Sequence, residues 1–93
     1  MRLCAEIIIQ GVVQGVGFRY YTIQEAKSLD LVGHVGNLAN GDVKVVVEGE
    51  RSLILTLIKN LRIGPSFSHV ANIKVDWRKA QNNFTNFSIA NFS

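Results

Sequence analysis

The hydrophobic pattern of this chain changes period near residue 14, and that change limits the possible folds more than any other feature. Residues 3 to 13 alternate: Leu3, Ala5, Ile7, Ile9, Gly11 and Val13 share one face, with Cys4, Glu6, Ile8, Gln10 and Val12 on the other. Period two with β-branched enrichment predicts a strand with one buried side. Gln14-Gly15-Val16-Gly17 breaks the pattern, and its glycines predict a tight loop. From Phe18 the period lengthens. Phe18, Thr22, Ile23, Ala26 and Leu29 fall within roughly 140° of a helical wheel, with Gln24, Lys27 and Ser28 outside that arc. An amphipathic helix ending near Asp30 is expected.

The same reading continues along the chain. Val32 to Leu38 and Asp42 to Glu48 are joined by Ala39-Asn40-Gly41, and Asn-Gly is a strong hairpin signal because both residues tolerate positive φ. Val43, Val45 and Val47 share a face. A second helix is predicted from about Arg51 to Leu61, where Leu53, Leu57 and Leu61 recur at four-residue spacing and Ile54 and Ile58 widen the stripe, up to the stop at Gly64-Pro65. His69 to Trp77 alternates again, with Ala71, Ile73, Val75 and Trp77 together. After a polar stretch, Lys79 to Asn83, Phe87 and Ile89 mark a short closing strand. Strand, helix, strand, strand, helix, strand is the α+β, ferredoxin-like split βαβ plan (βαββαβ), an antiparallel sheet with two helices on one face. That plan hosts many functions, so it names none.

Ninety-three residues suit one domain, 1–93. With 47% apolar and 18% charged residues the chain can build a core, which excludes disorder. Its apolar runs are too short and interrupted to span a bilayer. Glu6 and Gln10 break the apolar stretch after Met1-Arg2 and no small-residue cleavage site follows, so a signal peptide is not expected. Cys4 is the single cysteine; no internal disulfide is possible, and no Cys/His cluster has metal-ligand spacing. These features point to a cytoplasmic protein without metal or cofactor. The net charge of +3 suits an anionic partner, but the densest basic pair is Arg78-Lys79, far short of a nucleic-acid-binding block.

Gly11-Val12-Val13-Gln14-Gly15-Val16-Gly17-Phe18-Arg19 carries the chemistry. It runs from a strand through a glycine loop to a helix N-terminus, where unpaired N–H groups and the helix dipole favour an anion and glycines let successive N–H groups converge. An ordinary βα turn is the other reading of this pattern. Arg19 bears on the choice. A cation in the first helical turn opposes the dipole, whereas its planar fork fits a phosphate held among the same N–H donors; a solvated surface arginine stays open. No Gly-Lys-Ser/Thr follows, and the third glycine of a dinucleotide fingerprint is absent. Asn37 sits in Val32-Gly33-His34-Val35-Gly36-Asn37-Leu38, a run of poor strand propensity in which glycine marks close approach of a backbone or ligand. By topology this strand can return near the glycine loop. A turn-proximal asparagine bonding its own backbone remains the simpler reading of Asn37 from local pattern alone.

Gly11 to Arg19 closely resembles the acylphosphatase signature. Leu29-Asp30-Leu31-Val32-Gly33-His34-Val35-Gly36-Asn37 resembles that family's second motif, and Asn40-Gly41-Asp42-Val43 its hairpin; Gly49 and Gly64-Pro65 also fall in place. Three residues depart from the pattern: Asp30 for a glycine, His34 for a large aromatic and Asn40 for an aspartate. The resemblance implies the family's fold and strand order, and a metal-free monomeric hydrolase of acyl phosphates that releases inorganic phosphate. By position, Arg19 and the N–H groups of Gln14, Gly15, Val16, Gly17, Phe18 and Arg19 would bind the phosphate, and Asn37 would hold the attacking water. An RNA-binding sheet is the rival from another class, but the first strand lacks paired stacking aromatics. A non-catalytic accessory domain, of the kind found in larger carbamoyl-handling proteins, is the second rival. Among the remaining residues, His34 is expected to pack in place of an aromatic, Cys4 to behave as a small apolar residue, Tyr20 and Tyr21 to pack or frame the pocket rim, and Glu48 and Glu50 to be solvated.

Overall fold

A computed structural model describes residues 1–92 and contains seven elements: β1 (Arg2–Val12), α1 (Phe18–Ser28), β2 (Val32–Asn37), β3 (Val43–Glu50), α2 (Arg51–Ile63), β4 (His69–Lys79) and β5 (Phe87–Ile89). They form one five-stranded sheet in the order β4-β1-β3-β2-β5. Among the described residues no helix is long and apolar enough to cross a membrane.

The core follows from the register. Ala5, Ile7 and Ile9 of β1 face Val47, Val45 and Val43 of β3 on one side, and Ile7 and Ile9 face Val75 and Ile73 of β4 on the other. Alternation puts all of these on one face of the pleat, where α2 buries Ile54, Leu57, Ile58 and Leu61 and α1 buries Phe18, Thr22 and Ala26. Thr22 is the polar member of that set. Its hydroxyl donates to the Phe18 carbonyl oxygen at 2.8 Å, so this donor is not stranded in the core.

Four strands are antiparallel as expected, but the closing strand is not: β5 runs parallel to β2, pairing Gly33 with Phe87 and Val35 with Ile89. The sheet is therefore mixed. Residues 80–86 cross the face of the sheet opposite the helices and bring the chain to the β2 edge in the parallel sense. Gly36 allows the close approach that follows: a Cβ there would collide with the Ala90 carbonyl oxygen and crowd the Phe92 ring.

The crossing segment also overturns the expected solvation of Glu48. This side chain is 1% exposed. Its two carboxylate oxygens accept the N–H groups of Gln81 and Asn82 at 3.0 and 2.9 Å, and Arg2 lies 3.9 Å away while donating to Asn82 Oδ1. Glu50 is exposed and ion-pairs with the N-terminal ammonium. Burial first, and the Glu48 carboxylate second, push the Cys4 thiol up, so it stays protonated and packs as a small buried side chain.

In β4 the expected alternation fails at one point. Register shifts against β1 between Gln10 and Gly11, where the β4 partners skip from Asn72 to Val70. The extra residue is Ala71, which is exposed, while Val70 packs on the core. A bulge changes the phase of the alternation by one residue.

The departures at Asp30, His34 and Asn40 are each accommodated locally. Asp30 takes a left-handed φ of 55°; the Asp30 N–H reaches the Lys27 carbonyl and the Leu31 N–H the Ala26 carbonyl, a complete Schellman end to α1. His34 stacks edge-on against Phe84 and Phe92 at 5.2 and 5.3 Å. Asn40 does not take positive φ. Gly41 alone does so in the hairpin loop, at 99°, and Asn40 Oδ1 accepts the Asp42 N–H at 3.0 Å.

Candidate active site

Val13 and Phe18 anchor the two ends of the glycine loop in the core, each 1% exposed. Between them, Gly15 and Gly17 have φ of 74° and 79°, whereas Gln14 and Val16 are not left-handed. Beyond its chain neighbours, neither glycine has a described atom within 4 Å of where a Cβ would stand. Their role is therefore conformational, not steric. Alternation of left-handed and ordinary φ is the backbone pattern in which successive N–H groups can converge as a nest.

That loop meets the start of α1. Gly17 is the N-cap and supplies no side chain, no acidic residue lies in the first turn, and the Tyr21 N–H to Gly17 carbonyl bond is the first to close. The N–H groups before Tyr21 thus lack intrahelical acceptors. Phe18 points into the core, so Arg19, about 100° further round the helix, faces outward. Among the described residues Arg19 joins no ion pair, which leaves its guanidinium fork free for a ligand.

Asn37 arrives from the sheet. Period two places it on the face of Val35, the helix side, at the end of β2. Among the described residues its Oδ1 is buried without a hydrogen-bond partner. Buried acceptors are rarely left so, and the simpler reading, an asparagine satisfied by its own backbone, does not describe this oxygen. Gln14 ties the two halves together: its Nε2 donates to the carbonyl oxygens of Leu38 and Asp42, each at 2.8 Å.

One cavity of about 350 Å³ collects these groups, lined by Val13, Gly15, Gly17, Phe18, Arg19, Tyr20, Ile23, Asn37 and Ile89. Gly15, Gly17, Phe18, Arg19 and Asn37 are thus together. Gln14 spends its amide on the hairpin, and Val16 packs against the core. Among the described residues the lining contains no Asp, Glu, His or Cys. Tyr20 frames the rim as expected, whereas Tyr21 turns inward and donates to the Asn60 carbonyl oxygen at 2.8 Å; burial first and Glu25 second raise its phenol pKa. Ile89 was not foreseen in the site, because it enters through the parallel pairing of β5 with β2.

Comparison with known proteins bears on the chain as a whole. The chain is 49% identical to an acylphosphatase of Methanococcoides burtonii over 92% of its own length and 90% of that protein. It is 38% identical to one from Dehalococcoides mccartyi, over 92% and 96% of the two chains. The crystal structure of acylphosphatase from Bacillus subtilis superposes with a TM-score of 0.93 at 35% identity, covering 96% of this chain and 99% of that one. The sequence pattern that defines the acylphosphatases matches residues 5–89, and the chain belongs to the acylphosphatase family.

Proposed function

We propose that this chain hydrolyses acyl phosphates, splitting the bond between the phosphorus and the acyl oxygen to give a carboxylate and inorganic phosphate. In this reading the phosphoryl group sits in the nest of Gly15 to Arg19, held by converging N–H groups and by two charge-assisted bonds from the Arg19 fork. The Asn37 Oδ1 accepts a hydrogen bond from the attacking water and sets its direction. The water oxygen bonds to phosphorus, the electron pair of the breaking bond leaves on the carboxylate, and both water protons end on the phosphate oxygens.

The absence of any carboxylate or imidazole side chain among the described residues of the cavity lining is consistent with this chemistry. A carboxylate is a good leaving group, so the transition state needs little general acid, and a phosphate oxygen serves as the proton acceptor. What remains for the protein is positioning and charge stabilisation, which are the main contributions in phosphoryl transfer. The observation that carries the reading is the convergence of the Arg19 fork, the alternating glycine loop and the partnerless Asn37 Oδ1 on one cavity.

Release of inorganic phosphate from benzoyl phosphate, followed without added metal, tests it. Saturable turnover far above spontaneous hydrolysis is expected, with competitive inhibition by inorganic phosphate. A folded chain that leaves the spontaneous rate unchanged overturns the proposal.

A further inference from the structure

One residue of α2 holds α1 at two points. Asn60, in the last turn of α2, accepts the Tyr21 hydroxyl on its backbone carbonyl at 2.8 Å and donates its Nδ2 to Glu25 Oε1, also at 2.8 Å. Tyr21 and Glu25 are four residues apart and so share a helix face. Among the described residues these are the side-chain hydrogen bonds that join the two helices. The Asn60 carbonyl also accepts the Gly64 N–H at 3.0 Å, so both of its lone pairs are used. Gly64 in turn abuts the start of α1: a Cβ there would stand 3.0 Å from the Phe18 ring and would collide with Ser68 Oγ.

None of Tyr21, Glu25 and Asn60 is among the described residues lining the cavity. What they hold is the turn that carries the free donors. Tyr21 supplies the first N–H to close in α1, onto the Gly17 carbonyl at 3.0 Å, and Arg19 and the unclosed N–H groups stand just before it. Gly15 and Gly17 give the preceding loop little stiffness of its own. Such a loop loses entropy when an anion orders it, unless a contact outside the loop has already fixed its end. We propose that Tyr21 and Glu25 are positioning residues for phosphate binding, fixing the first turn of α1 through their bonds to Asn60. This rests on the hydrolase reading above and adds a second tie to it. Gln14 fixes the loop relative to the hairpin beside Asn37, and so bears on the attacking water. The Asn60 junction lies behind the phosphate donors and bears on the anion.

Titration calorimetry with inorganic phosphate and benzoyl phosphate kinetics test this on the full chain and on Tyr21→Phe, Glu25→Ala, Glu25→Gln and Glu48→Ala. All are compared at a temperature where circular dichroism shows them folded. Tyr21→Phe keeps the ring and removes only the hydroxyl; Glu25→Gln removes the charge but keeps an oxygen for Asn60 Nδ2. Tyr21→Phe and Glu25→Ala should raise the phosphate dissociation constant and the KM together by about three- to fivefold, with kcat within about twofold. Glu25→Gln should restore the parent affinity. Glu48→Ala, whose change lies on the opposite face of the sheet, should bind phosphate as the parent does. Unchanged phosphate affinity in Tyr21→Phe and Glu25→Ala overturns the tie, and so does an equal rise in Glu48→Ala, which reports global stability instead. An equal rise in Glu25→Gln and Glu25→Ala overturns the part assigned to Glu25. A parent that binds phosphate without turnover overturns hydrolysis alone, and the titrations then still decide the tie; a parent that binds no phosphate overturns both.

Discussion

The Gln14 carboxamide donates to the Leu38 carbonyl oxygen at 2.8 Å, and its second bond, to the Asp42 carbonyl, has the same length. One side chain thereby locks the glycine loop to the hairpin that begins one residue after Asn37. The Leu38 oxygen also accepts the Gly41 N–H, and the Asp42 oxygen the Leu38 N–H, so this junction is saturated. Gln14→Ala should lower kcat by about tenfold, because small displacements between a bound group and its attacking water are costly. Far-ultraviolet circular dichroism should be unchanged. An unaltered kcat would show that the tie is not needed for turnover.

Arg19 and Asn37 should separate binding from turnover. Arg19→Ala should lose inhibition by inorganic phosphate and lose turnover with it. Asn37→Ala should keep the phosphate inhibition constant and lose about 10²-fold or more in kcat, the size expected for a pre-organised polar group acting in the transition state. Isothermal titration with phosphate and initial rates on each variant check the division of roles. Loss of phosphate affinity in Asn37→Ala would place that residue in the phosphate cradle instead.

Glu48 should matter for stability alone. Its removal leaves two N–H donors of the crossing segment unpaired and empties a buried position, as Glu48→Ala would show by a loss of about 2 kcal/mol. For a domain of this size that is roughly 10 °C in Tm. At a temperature where the variant is folded, kcat should match the parent, because Glu48 is on the sheet face away from the helices and outside the cavity lining. A reduced kcat in folded Glu48→Ala would contradict this.

Asp30 holds a left-handed φ that costs most L-residues about 1–2 kcal/mol and aspartate somewhat less. Asp30→Gly relieves that strain but adds freedom to the unfolded chain. The net expectation is a gain of about 0.5 kcal/mol, readable as a higher urea midpoint at constant m-value. A lower midpoint would mean that the aspartate carboxylate contributes more to the helix end than its backbone costs.

His34 makes stability depend on pH. Burial first, and the Lys44 ammonium second, hold its pKa below the ordinary histidine value. The unfolded chain therefore binds the proton more readily than the folded one. The contribution of neutral His34 is fully present above about pH 6.5 and is lost as pH falls through the lower folded value. Between pH 7.5 and 5.5 the parent should lose more Tm than His34→Phe, which keeps the edge-on contacts with Phe84 and Phe92 but has no proton to gain. Parallel pH profiles for the two proteins would refute the assignment.

Much of the architecture was legible in the chain because burial of one face imposes a period. Ala5-Ile7-Ile9, Val43-Val45-Val47 and the stripes of both helices report their core contacts directly. The glycine loop was legible for a different reason: Gly15 and Gly17 adopt backbone angles that other residues resist. The switch from strand to helix period placed Arg19 at a helix start without any tertiary information. Local pattern thus determined the elements, their inward faces and the backbone shape of one loop.

Tertiary structure decided what depends on partners distant in sequence. Parallel pairing of β5 with β2 brings Ile89 to the cavity, and the residue 80–86 crossing buries Glu48, which its own strand marks only as a polar residue on the outer face. The bulge opposite Gln10 and Gly11 exchanges Ala71 for Val70 on the core. Asn37 acquires an unpartnered buried oxygen because β2 ends beside the start of α1. Periodicity records which face of an element is dry, whereas strand order, register shifts and the burial of the opposite face are set by long-range pairing energies that no local window contains.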